Sequence, residues 1–212
     1  MRLAGPNASP LPPCDDLAQA IANAARLLGH RPAITVVRAD RRDEQGFVSL
    51  AQWTAKGAHL LQIECGLGPG DRLHLVSPPG WIAAAVCCAA WWAGVAVTDR
   101  ADAAVTVAHE ATTSAATGDA YILGDAFDGS PIGASAAEPW AVAVQSFPDR
   151  PPPAAATAGT TAFDIDREAL SHAATVDAAL GAPTALAADA PMRLWLLALA
   201  RVFVTGEPLT IR

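Results

Sequence analysis

Leu67-Gly68-Pro69-Gly70-Asp71-Arg72-Leu73-His74-Leu75-Val76 is the stretch on which the reading of the fold turns. Proline fixes one dihedral and glycine accepts the positive one that a type II turn requires, so Gly68-Pro69-Gly70-Asp71 reads as a tight turn and Leu73–Val76 as the strand leaving it. Upstream, Ser49-Leu50-Ala51-Gln52 has the spacing of a capping box. Leu50, Trp53, Gly57, Leu60 and Leu61 then continue at helical intervals as far as a stop at Gly66. Downstream, Ser77-Pro78-Pro79-Gly80 interrupts the strand, Ile82–Trp92 is Ala-rich and apolar, and Gly94 separates it from the β-branched run Val95, Val97, Thr98. Helix, turn, strand, helix and strand in this order predict a mostly parallel sheet with flanking helices, an α/β layered fold.

Outward from this stretch the alternation continues. Residues 1–13 are proline-bearing and read as an irregular arm, followed by an amphipathic helix through Leu17, Ile21, Ala24, Ala25 and Leu28 that closes at Gly29. Ala33–Val37 reads as a strand, Arg38–Gly46 as a charged loop, and Phe47-Val48 as a short return strand. Ala103–Ala108, Tyr121–Leu123 and Trp140–Val144 are further strand segments. Phe147-Pro148-Asp149-Arg150-Pro151-Pro152-Pro153 has the composition of a linker. Beyond it, Asp166 is positioned to cap a helix ending at Gly181, Met192–Phe203 forms another helix, and Leu209–Arg212 an edge strand. The expected organisation is an arm (1–13), an α/β front lobe (14–147), a Pro/Ala/Gly/Thr linker (148–165) and a smaller α/β tail packed on the front lobe (166–212).

Composition narrows the function classes. The 212 residues are 52% hydrophobic and 17% charged, enough to bury a sizeable core, and the formal charge of -7 with no basic run excludes a nucleic-acid footprint. Cys14, Cys65, Cys87 and Cys88 lie in no metal-ligand spacing, and the start of the chain lacks a signal peptide's apolar core, which points to a reducing cytoplasm. Trp81–Thr98 is free of charge for 18 residues, the lower limit for a membrane span. No Lys or Arg cluster flanks it, and a buried helix followed by a buried strand accounts for it better.

Val48-Ser49-Leu50-Ala51-Gln52-Trp53 with Lys56 and the Leu60-Leu61 pair resembles the first amphipathic helix of the adenylate-forming enzymes, the acyl-CoA synthetases and their relatives. Gly66-Leu67-Gly68-Pro69-Gly70-Asp71-Arg72 resembles their Gly-x-Gly-Pro-Gly-Asp-Arg/Lys turn. Ala93–Asp99 resembles the Ala-Gly element that follows, without the usual Pro before the Asp. The tail carries fainter matches at Leu170-Ser171-His172, Trp195–Ala200 and Gly206-Glu207-Pro208-Leu209-Thr210-Ile211. The whole is similar to short, stand-alone, functionally undescribed relatives that keep the N-terminal part of the synthetase fold.

The resemblance implies a phosphate loop at Thr157-Ala158-Gly159-Thr160-Thr161-Ala162-Phe163, where a working synthetase has Ser/Thr-Ser-Gly-Thr-Thr-Gly and then Pro-Lys-Gly. Thr157, Gly159, Thr160 and Thr161 match and are the candidate cofactor-binding residues. Ala162 replaces the second Gly, the Lys is missing, and Asp164 and Asp166 add negative charge that opposes a phosphate. The family's ribose-binding Asp, Thr-Glu metal site and C-terminal catalytic Lys are not expected before Arg212. The five histidines show no metal spacing, adjacent Ser171 and His172 diverge on a helix, and Trp91-Trp92 is expected to pack.

No catalytic residue, cofactor or metal site is therefore expected. The leading reading is a non-catalytic homologue of the synthetases binding a small acyl or nucleotide-like ligand in a cleft between front lobe and tail. The alternative is a protein–protein interaction or oligomerisation module, with sheet edges as the interface. An enzyme of unrelated chemistry, built from distant residues, stays open at this stage.

Overall fold

The computed structural model describes residues 11–112, 119–126, 128–133 and 135–212; most of the N-terminal arm lies outside them. Strand β1 (Pro32–Val37) pairs antiparallel with β2 (Arg42–Gly46) and parallel with β11 (Leu209–Ile211), which in turn pairs with β10 (Ala185–Leu186). This makes a four-stranded sheet of order β10-β11-β1-β2. A seven-stranded sheet of order β7-β6-β5-β3-β4-β8-β9 comprises β3 (Arg72–Val76), β4 (Ala96–Thr98), β5 (Val105–His109), β6 (Asp119–Leu123), β7 (Glu138–Pro139), β8 (Thr161–Ile165) and β9 (Glu168–Ser171). Its pairings are parallel except β8–β9. The fold is α/β, mostly parallel, with flanking helices.

Helix α1 (Leu17–Leu28) starts where the Asp16 carboxylate accepts from the Gln19 amide at 2.7 Å, and its buried face is the predicted one: Leu17, Ile21, Ala24, Leu28. Helix α2 (Phe47–His59) runs on into a π-helical turn at Leu60–Glu64, and α3 (Trp81–Ala93) packs against it. Every residue of α3 except Trp92 is buried, so the uncharged segment is a core helix closed by left-handed Gly94 and followed by buried β4. Among the described residues, no helix is long and apolar enough to cross a membrane. The Trp91 indole donates to the Ala162 carbonyl at 3.0 Å and that of Trp92 to the Pro152 carbonyl at 2.9 Å. The two tryptophans thereby tie α3 to β8 and to the proline-rich segment before it. Lys56 adds a bond to the Phe147 carbonyl and an ion pair with Asp149 at 3.1 Å, so the proline-rich segment is laced down along its length.

Several local expectations give way to tertiary packing. The return strand is not Phe47-Val48 but the charged segment before it, Arg42–Gly46; α2 begins at Phe47. The Ser49–Gln52 capping box does not form, because α2 begins at Phe47 with Gly46 at its N-cap, which leaves Ser49 inside the first turn; the Phe47 and Val48 amides are taken by the carbonyls of Arg31 (3.2 Å) and Gly29 (3.0 Å). Ser49 instead donates to the Gln45 side chain at 2.6 Å. Trp140–Val144 is not a strand: Trp140–Ala143 is a helical turn, α4, continued as a 3-10 turn through Ser146. The fully buried Trp140 ring sits edge-on to Tyr121 at 5.6 Å, a contact that fixes this segment's direction.

Asp166 caps no helix. With Arg167 it forms the tip of the β8–β9 hairpin, at φ 55° and 64°, the conformation two-residue hairpin turns need. The helix there, α5 (His172–Ala179), is capped by Ser171, whose hydroxyl accepts from Ala174. Helix α6 (Met192–Thr205) fits its prediction, whereas β11 is an interior strand between β10 and β1 rather than an edge.

Candidate functional site

Because β8 runs parallel to β4, the loop entering it lies at the N-terminal end of the large sheet. Thr157, Gly159, Thr160 and Thr161 are brought together there, but the loop is closed on itself. The Thr160 hydroxyl donates to the Thr157 carbonyl at 3.0 Å and accepts the Thr157 amide at 2.7 Å. Its proton being committed, the 2.9 Å contact between the two hydroxyls has Thr157 as donor. The amides of α5 that a phosphate would need are taken as well: His172 donates to the Thr160 carbonyl (2.8 Å), Ala173 to the Ala158 carbonyl (3.0 Å), and Ala174 to Ser171.

Thr161 lines a small cleft with Asp71, Arg72, Ala96, Asp164 and Ala169, of about 160 Å³. Two carboxylates face one guanidinium there, an acidic balance that disfavours an anionic ligand. Asp164 thus adds negative charge beside the loop as expected. Asp166 does not: it lies beyond the five residues of β8, with its amide bonded to the Asp99 carboxylate at 3.1 Å.

The opposite, C-terminal end of the sheet holds a charged cluster that no sequence spacing announced. The order β4-β3-β5-β6-β7 reverses direction at β3, so the crevice above β3 and β5 is a topological switch point. Into it project Arg38 and Arg41 from the β1–β2 hairpin, the Gly80–Trp81 start of α3, His109 at the end of β5 and Asp125 after β6, around a partly open space of about 20 Å³. Arg38 Nη2 lies 2.5 Å from Asp125 Oδ1, Arg41 donates to the Asp125 carbonyl, and Arg41 Nε reaches Asp43 at 3.0 Å.

The His109 Nδ1 accepts the Ala111 amide at 3.2 Å, which leaves the Nε2 proton facing Asp125 Oδ1 at 3.4 Å. Glu110 accepts the amides of Asp125 (2.8 Å), Ile132 (2.8 Å) and Gly133 (3.4 Å), led by the first of which they hold its carboxyl below the usual range. Ligand atoms of His109, Glu110 and Asp125 fall within 4.8 Å of one another. Every one of these groups is already engaged by an amide or a guanidinium, a donor set suited to an anion rather than a cation.

A third feature is an apolar groove of about 290 Å³ between α1 and α2, lined by Ile21, Ala25, Val48, Ala51, Trp92 and Pro151, with Arg26 and Asp149 also on its wall. Amphipathic periodicity located the two helix faces but not the gap between them. Elsewhere, His172 is fully buried, its Nδ1 accepting the Leu17 amide at 3.2 Å, and burial pushes its pKa down to about 4. Burial pushes the Cys87 and Cys88 thiols well up.

The Mycobacterium tuberculosis fatty acyl CoA synthetase superposes at TM-score 0.71 with 11% identity, covering 93% of this chain and 45% of the synthetase. The chain has the fold of acyl-CoA synthetase N-terminal regions. The N-terminal domain of FACL13 from Mycobacterium tuberculosis gives TM-score 0.69 at 14% identity, covering 93% of this chain and 57% of that one. Acyl-CoA synthetase from Brucella canis gives 0.71 at 13%, covering 98% and 44%. In sequence, 53 residues are 42% identical to a TIGR03089 family protein of Mycobacterium tuberculosis, which is 25% of this chain and 22% of that protein. No protein-family model matches. The chain thus spans roughly half the length of the solved structures it resembles and about a fifth of the curated relative.

Proposed function

We propose that this chain is a non-catalytic homologue of the adenylate-forming synthetases that binds a small acyl ligand. The observation that carries the reading is the self-closed loop at 157–161, in which the Thr157 and Thr160 hydroxyls bond each other and the first α5 amides are taken by loop acceptors. A nucleotide phosphate would have to break these bonds and approach the acidic cleft. An acyl chain meets no such cost in the α1–α2 groove. Its volume of about 290 Å³ corresponds to roughly ten water volumes, the scale of a medium-length chain. Arg26, on the same wall, supplies a cation for the carboxylate.

Thermal unfolding of the purified chain with decanoate, AMP and ATP tests this. Decanoate should raise the midpoint saturably, Ala51→Trp, which fills the groove, should abolish the rise, and the nucleotides should leave it unmoved. Magnesium-dependent pyrophosphate release that disappears in Thr160→Ala would overturn the reading.

The second reading, an oligomerisation module, draws on the outer edges of β2 and β9 and on exposed Ile63 (66%) and Ile132 (74%). Light scattering of a monomer would remove it. The four free thiols favour a reducing, cytoplasmic location. The division into front lobe (14–147), linker (148–165) and tail (166–212) belongs to the same proposal, with the linker's last residues forming β8 of the large sheet.

A further inference from the structure

We infer that the switch-point crevice of the seven-stranded sheet is an oxyanion site, held closed by the carboxylate of Asp125 and opened when a ligand carboxylate or phosphate displaces it. The inference does not depend on the acyl reading above, because the crevice and the α1–α2 groove share no lining residue.

The crevice has the chemistry of an anion receptor. Two guanidiniums, the Nε2–H of His109 and the first turn of the 13-residue α3 converge on one small space. The resident anion is Asp125, 2.5 Å from Arg38. Arg38 pairs with Asp125 and, at 3.7 Å, with Asp43, which Arg41 also engages, while the nearby Glu110 carboxylate is held by three backbone amides. Withdrawal of the Asp125 carboxylate removes the 2.5 Å partner of Arg38, and a monoanion restores the charge that leaves. The partly open space of about 20 Å³ holds about one water beside the Asp125 carboxylate, and an oxyanion takes the place that the carboxylate gives up.

The backbone is built so that the side chain can leave alone. Glu110 grips the amides of Asp125, Ile132 and Gly133, Arg41 holds the Asp125 carbonyl, and the turn is closed by Gly124 N–Gly129 O (2.9 Å) and Ala126 N–Ser130 O (3.1 Å). None of these bonds uses the Asp125 carboxylate. That group is also about one-third exposed, and a rotamer change carries it into water without unmaking the loop. Glu110 stays occupied by its amides and is not available to replace it.

The test is a titration of the full chain with inorganic phosphate and with acetate, against chloride at matched ionic strength, read by thermal unfolding and by the line width of the phosphate phosphorus resonance. The parent and Asp125→Ala are compared, with Asp125→Asn as a second variant that preserves the side-chain volume. Phosphate or acetate should bind Asp125→Ala at least tenfold tighter than the parent, and the gain should vanish in Asp125→Ala/Arg38→Gln. The anion with the larger gain identifies whether phosphate or carboxylate is the natural head group. Equal affinity in parent and both variants, or a gain that survives loss of Arg38, would overturn the inference.

Discussion

At the N-terminal end of the large sheet, Thr157 and Thr160 spend their hydroxyls on each other and the α5 amides on loop acceptors; at the C-terminal end, Arg38 and His109 face the single carboxylate of Asp125, and Arg41 holds the Asp125 carbonyl and Asp43. The first end carries the sequence resemblance and offers a ligand almost nothing. The second carries no recognisable motif and holds donors that one side-chain rotation releases. Matching residue types do not guarantee chemical availability, because a hydroxyl gains about as much from an internal acceptor as from a ligand.

The largest effect that would sharpen this contrast is at Gly124. A Cβ there would lie 2.2 Å from both Pro131 Cα and Ser130 O, which are backbone atoms that cannot swing aside. Gly124→Ala should cost about 3 kcal/mol or more in denaturant unfolding, or displace the loop and unseat Asp125 from Arg38. A loss under about 1 kcal/mol would mean the loop backbone is pliable, and the side-chain-only opening of the crevice would lose its basis.

Next in size is the pH response at the opposite end, where His172 begins α5. Its folded pKa of about 4 lies below the ordinary 6.5, so the unfolded chain binds more protons between those values. The neutral form's contribution is complete above pH 6.5 and is lost as pH falls towards 4, to a total on the order of 3 kcal/mol. Burial outweighs the nearby Asp16 carboxylate, which acts in the opposite direction. Urea midpoints at pH 7 and pH 5 should differ accordingly, and His172→Gln should flatten the difference. An unchanged slope in that variant would place the acid sensitivity elsewhere.

How much of this was legible in the sequence depended on how local the determining contacts are. The turn at Gly68–Asp71, strand β3 and core helix α3 are set by neighbouring residues and were read correctly. Trp140–Ala143 was misread because a short apolar run suits a strand or a buried helical turn equally, and the Tyr121 ring, distant in sequence, decides. Asp166 was misread as a cap because carboxylates favour both caps and left-handed turns, and pairing of β8 with β9 selects the latter. The loop residues 157–161 were found through resemblance, whereas the crevice is assembled from segments around 38–41, 80–81, 109–110 and 124–125. No window of sequence contains it; the charged hairpin Arg38–Gly46 was its only visible trace.

Thr160→Ala is expected to have an intermediate effect, about 1 kcal/mol from the bonds to the Thr157 amide, carbonyl and hydroxyl, measured by urea unfolding. Half-exposed loop bonds do not sum, so the three together are worth about one. The change should leave decanoate binding intact, since the groove lies between α1 and α2. Loss of decanoate binding in this variant would connect two places that the structure keeps apart.

The smallest effect separates a relic from a working loop most cleanly. In a phosphate loop the glycine is there so that backbone and ligand can approach closely, and a methyl group obstructs that approach. Here a Cβ on Gly159 would meet no heavy atom within 4 Å, and its φ lies outside the left-handed region. Gly159→Ala should therefore change stability by less than about 0.5 kcal/mol, with the sign leaning towards stabilisation because alanine narrows the unfolded ensemble. It should alter no ligand response in thermal unfolding. A loss of nucleotide or acyl binding in Gly159→Ala would show that a ligand occupies the space beside this residue, and the contrast between the two ends of the sheet would collapse.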